Sequence, residues 1–153
     1  MEKKIISTNG NSNIFYEIDE ENGVIYAKLQ VSAIFNEVRL AAYNKYISLS
    51  TINKGFDAFR KKYSTYNSDY HLIATKAICS KDDTFDEKTG MRIARERLLE
   101  KYYTIRLNMF RCIGDVISEQ IDAIEDQMNY SWVRLDRYTK LNQETRDKQK
   151  VEN

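Results

Sequence analysis

Ile14-Phe-Tyr-Glu-Ile-Asp-Glu-Glu-Asn-Gly-Val-Ile-Tyr-Ala-Lys-Leu-Gln-Val31 alternates apolar and polar side chains on both sides of a polar turn, Glu20-Glu-Asn-Gly23. Both arms are rich in β-branched and aromatic residues, as a pleated, half-buried surface requires. Gly23 supplies the positive φ that closes a short hairpin loop. A β-hairpin over 14–31 therefore anchors the N-terminal half. Lys4-Ile-Ile-Ser7 is a candidate edge strand before the polar loop 9–13. Tyr70-His-Leu-Ile-Ala-Thr-Lys-Ala-Ile78 reads as a further strand, with Tyr70, Leu72, Ala74, Lys76 and Ile78 on one face.

Between these strands two periods compete. Val31, Ile34, Phe35, Val38 and Ala42 fit a helical stripe, while 38–43 fits a continued sheet equally well, so the topology of 32–68 stays open. Ile52, Phe56, Phe59 and Tyr63 recur at helical spacing and predict one short helix capped by Ser50 or Thr51. A turn follows at 66–69.

From Asp86 onward the pattern is helical. Ile105, Met109, Ile113, Val116, Ile121, Ile124, Met128, Trp132, Leu135, Tyr138 and Leu141 keep spacings mostly of three and four. Asp86 suits the N-cap, with Glu87 in the first turn at the positive helix end. The chain of 153 residues contains no proline, where average usage of about 5% would supply roughly eight. Only Gly90 and Gly114 weaken the helix over 86–142. Breaks are conceivable at 112–114 and 129–131. The expected fold is α+β: an antiparallel sheet of about four strands, then long C-terminal helices that mediate oligomerisation. The expected organisation is a single domain, with 1–85 mostly β with one short helix, 86–143 helical and 144–153 a frayed tail.

Charge is informative in its layout. The net charge of +1 gives no global bias toward nucleic acid or an anionic membrane. Residues 88–111 carry seven cations and two anions, whereas 112–128 carry five anions and no cation. Opposed blocks on one amphipathic helix complement each other between antiparallel copies or in a fold-back at Gly114. So many large apolar residues on that helix need a partner surface, and a homodimer or higher oligomer is favoured. No apolar run approaches the roughly twenty residues of a membrane span. The start lacks a secretory leader, and Cys79 and Cys112 form no CxxC pair, so free thiols in a cytoplasmic protein are expected.

Catalytic signatures are missing: no glycine-rich phosphate loop, no GxSxG and no HExxH occur. The single histidine, His71, has no nucleophile or orienting partner beside it in sequence, and reads as structural. Two distant cysteines and one histidine are a poor zinc set. The acidic group Asp82, Asp83, Asp86 and Glu87 lacks the order of a calcium loop. No cofactor or metal is expected, and an enzyme is the least favoured class. The best candidate site is the helix after Asp86. Gly90, Ala94, Arg97 and Lys101 share one face, where small residues admit close approach and two cations suit phosphate. Tyr70, Tyr102 and Tyr103 are candidates to stack on a base or ribose. The competing reading has these cations serving only carboxylates of Glu96, Glu100 or a partner helix.

The segment from Ala77 to Lys101 carries A-x-C, then D-x-F-D-x-x-x-G-x-x-x-A-x-x-R-x-x-x-K. It resembles a strand-turn-helix pattern of small tailed-phage proteins and is similar to the Thoeris anti-defence sponges, which sequester cyclic ADP-ribose signals and in some cases cyclic oligonucleotides. The resemblance covers about 25 residues and lacks the proline that usually follows the Cys-Ser pair. It implies phosphate contacts by Arg97 and Lys101, polar contacts by Ser80 and Glu87, and stacking near Tyr70. It also implies a non-enzymatic counter-defence protein in the host cytoplasm. A protein–protein inhibitor such as an anti-CRISPR, using the eleven tyrosines and mixed charge as contact surface, is the alternative. Direct nucleic-acid binding ranks third, because acidic blocks flank the basic one.

Overall fold

The structure, a computed structural model, describes residues 14–66, 71–79 and 84–151, with side chains described as far as 143. The hairpin forms as its alternation requires. β1 (Phe15–Asp19) and β2 (Val24–Gln30) pair antiparallel, Phe15 opposite Lys28 and Asp19 opposite Val24. Gly23 sits at φ 62°, and the Asp19 carboxylate accepts from the backbone and side-chain amides of Asn22 at 3.3 and 2.9 Å. β3 (Leu72–Ile78) pairs antiparallel with the other side of β2, giving the order β1-β2-β3. Three strands are seen among the described residues where about four were expected. The candidate strand at 4–7 lies outside them, as does the turn at 66–69 except for Tyr66.

The helical period wins throughout the ambiguous stretch. α1 (Val31–Tyr43) buries Val31, Ile34, Phe35, Val38 and Ala42, the whole predicted stripe, so 38–43 does not continue the sheet. α2 (Leu49–Lys62) buries Ile52, Phe56 and Phe59. Among the described residues the N-terminal half thus holds two α-helices rather than one short one, and they outweigh its strands. The cap of α2 is Ser48, not Ser50 or Thr51. Ser48 is extended and its hydroxyl accepts from the Thr51 amide at 3.1 Å, satisfying one of the orphan donors of the first turn. Phe35 meets Phe56 and Phe59 edge-on, at centroid distances of 4.8 and 5.8 Å, which joins α1 to α2.

α3 (Glu87–Val151) is one helix of 65 residues. Asp86 caps it as expected, accepting from the Lys88 amide at 3.1 Å and from the Thr89 hydroxyl. Neither 112–114 nor 129–131 breaks it, and the helix runs on to Val151. The chain divides into two compact units, Met1–Gly114 and Asp115–Asn153. The boundary falls where the charge changes sign.

In the first unit one sheet face, with Tyr16, Ile18, Ile25, Ala27, Leu29, Ile73 and Ala77, joins the buried stripes of α1, α2 and α3 in the core. From α3 that stripe is Ala94, Leu98, Tyr102, Ile105, Met109 and Ile113. Gly55 of α2 lies so close to α3 that a β-carbon there would stand 2.5 Å from Ile113 Cγ1 and 2.8 Å from its Cα. In the second unit the apolar residues from Ile121 to Leu141 are exposed on the helix. Among the described residues no helix is long and apolar enough to cross a membrane.

Candidate ligand-binding groove

Among the described residues β3 is an edge strand, and its outward carbonyls need partners. α3 supplies them. Arg97 donates Nη1–H to the Lys76 carbonyl at 2.6 Å, and Lys101 donates from Nζ to the Ala74 carbonyl at 3.0 Å. Ala74 and Lys76 are two apart on the strand, and Arg97 and Lys101 four apart on the helix. These intervals are about 6.7 and 6 Å, so strand and helix match step for step. Each head group is anchored by one bond and remains exposed. Arginine has five N–H donors and lysine three, so one anchoring bond leaves further donors for a bound group.

Along this junction runs a groove of about 950 Å³. Lys76, Arg97 and Lys101 contribute three cations to its lining, with Glu100 the single carboxylate among the described residues and Tyr66 and His71 the aromatic end. Tyr66 stacks on Phe59 at 5.9 Å and takes His71 edge-on at 5.6 Å, so a chain of rings reaching back to the core holds that end in place. The volume lies at the upper end of the range for small-molecule sites.

Of the residues singled out in sequence, Arg97 and Lys101 are brought together on this groove. Glu87 is not. It stands in the first turn of α3, ten residues and about 15 Å of helix before Arg97, and does not line the groove. Ser80 and Tyr70 lie outside the described residues, as do Asp82 and Asp83. The close approach that Gly90 and Ala94 permit is taken by the sheet. A β-carbon on Gly90 would come 2.7 Å from Ile25 Cδ1, and the Thr75 hydroxyl donates to the Ala94 carbonyl at 2.7 Å. Tyr102 is no stacking surface either, because it is buried and donates its hydroxyl to Glu37. Tyr103 packs edge-on against Tyr102. Glu96 is paired with Arg92 at 3.4 Å, not with Arg97.

Three lining residues escaped the sequence reading as site residues. Lys76 was legible from the alternation of β3, which placed it on the same face as Leu72 and Ala74. His71 and Tyr66 gave no signal, since they stand outside the periodic runs of helix and strand, where no repeat marks which rings meet. Cys79 and Cys112 are reduced thiols, the second buried. Among the described residues no group of three or more His, Cys, Asp or Glu side chains gathers in a metal-binding arrangement. No protein-family model, curated protein or solved structure matches the chain.

Proposed function

We propose that the protein is a non-enzymatic binding protein that captures a phosphorylated cyclic nucleotide, of the cyclic ADP-ribose or cyclic oligonucleotide type, and so acts as a phage counter-defence sponge. The observation that carries this reading is the convergence of Lys76, Arg97 and Lys101 with Tyr66 and His71 on one groove. Anchored cations neutralise phosphates, with arginine offering a fork and lysine a point charge. Aromatic faces take a base or ribose by stacking. Capture without turnover needs tight, preorganised contacts and no general base. In this reading the protein works in the host cytoplasm as a homo-oligomer assembled through the C-terminal helix.

Isothermal titration of the intact protein with cyclic ADP-ribose isomers and cyclic di- and trinucleotides tests it. Binding of at least one ligand, returned in unaltered form after denaturation of the complex, is expected. No heat with any of them sinks the reading.

A separate patch favours the second reading, direct inhibition of a host defence protein. Tyr46 is 99% exposed in a left-handed conformation, φ 62°, in the α1–α2 connection. Leu40, Tyr43 and Leu49 lie exposed around the same connection. Exposed tyrosines of this kind anchor protein interfaces. Pull-down from a defence-carrying lysate, with Tyr46→Ser as control, separates this reading from ligand capture.

A further inference from the structure

The second unit presents a stripe of apolar side chains that are exposed among the described residues. Trp132 is 69% exposed, Met128 65% and Ile124 60%, and Ile121, Leu135 and Tyr138 are exposed to a similar degree. Ile124, Met128, Trp132 and Leu135 line a shallow groove of about 810 Å³ along the helix. The spacing is heptad: Ile117, Ile121, Ile124, Met128, Ser131, Leu135, Tyr138 and Asn142 alternate steps of four and three without a slip. Such a seam is built to take the matching seam of another helix.

We propose that the occupant is a second copy of this helix, docked antiparallel. The inference deepens the oligomer part of the functional reading and is independent of the ligand. Charge sets the direction. Residues 115–128 carry five anions and no cation, while 129–143 carry Arg134, Arg137 and Lys140 against Asp136 alone. A parallel pair would lay acidic block on acidic block. An antiparallel pair lays each acidic block along the basic block of the other copy.

The flanking positions then choose the register. With Ile124 against Leu135 of the second copy and Ile121 against its Tyr138, Met128 meets Ser131 and Glu125 flanks Trp132. Gln127 then flanks Arg134, and no like charges meet. Sliding by one heptad in either direction puts Glu125 on Glu125 or Arg134 on Arg134, which costs stability. Met128 opposite the small Ser131, twice by symmetry, fills the centre of the pair with a side chain that adapts its shape.

Two measurements on the full chain test this. Sedimentation equilibrium should give twice the monomer mass or a multiple of it. Ile124→Glu, an exposed position whose change leaves the first unit intact by circular dichroism, should give the monomer. Under mild oxidation the double variant Ile124→Cys with Leu135→Cys should form a covalent dimer, while each single variant should give no more dimer than the parent chain with Cys79 and Cys112. A monomeric parent chain overturns the oligomer itself. An oligomer in which the single variants cross-link to themselves overturns the antiparallel register and leaves ligand capture untouched.

Discussion

The Tyr102 hydroxyl of α3 donates to the Glu37 carboxylate of α1, tying the long helix to a helix 65 residues earlier in the chain. Tyr102 is buried, and its burial, reinforced by the carboxylate it bonds, pushes the phenol up to about 12 from 10. An acid whose folded pKa is raised keeps its proton where the unfolded chain sheds it. The contribution to stability is therefore whole below about pH 10 and is lost between about 10 and 12. Urea unfolding at pH 8 and pH 11.5 should show stability falling over that window, and Tyr102→Phe should remove most of the fall. At pH 8 the same substitution should cost about 1–2 kcal/mol, because a half-buried carboxylate loses a donor. An unchanged pH slope in the variant would refute the assignment.

The same substitution should have opposite signs at two glycines. A β-carbon at Gly55 would meet Ile113 backbone and side chain at 2.5–3.0 Å, whereas one at Gly114 meets nothing within 4 Å. Gly55→Ala forces α2 and α3 apart and should destabilise by about 1–3 kcal/mol despite the better helix former. Gly114→Ala fills open space and should stabilise by about 1 kcal/mol through helix propensity alone. Thermal unfolding of the two variants beside the parent checks both signs.

These contrasts show which parts of the molecule were legible in sequence. The hairpin and the stripes of α1 and α2 were, because a local period and a glycine turn specify them. Two-fold and 3.6-fold periods coincide over 38–43, and only the burial of Val38 and Ala42 on one helix face decides for helix there. The run from Ile105 to Leu141 looked like one stripe, yet Ile113 is buried and Ile121 exposed. No local pattern says where a partner surface ends. Arg97 and Lys101 were found from helical spacing, but their anchors are backbone carbonyls, which carry no sequence signal. The aromatic end was missed for a different reason, since Tyr66 and His71 stand outside the periodic runs, where no repeat marks which rings meet.

The anchoring of Arg97 and Lys101 allows ligand effects to be separated from structural ones. Their head groups are exposed, so each hydrogen bond to β3 is worth less than about 1 kcal/mol. Arg97→Ala and Lys101→Ala should each lower the melting temperature by only a few degrees. If both cations hold phosphate, each substitution should weaken binding at least tenfold, and binding should weaken further as salt is raised. Arg97→Lys keeps the charge and loses the fork, so it should fall between parent and alanine. Equal, small effects on stability and affinity would confine these residues to sealing the sheet edge.

Tyr46 holds a conformation that glycine adopts without penalty, at φ 62° and 99% exposed, with no core to compensate. A left-handed residue bearing a β-carbon costs about 1–2 kcal/mol, part of which glycine returns as extra freedom in the unfolded chain. Tyr46→Gly should therefore stabilise the protein by about 0.5–1 kcal/mol in urea unfolding. Tyr46→Ala keeps the strain and loses only an exposed ring, and should leave stability within about 0.5 kcal/mol of the parent. If the ring is a partner anchor, both substitutions should abolish capture of that partner to the same extent. A gain in stability with capture unimpaired would show that the ring takes no part in binding.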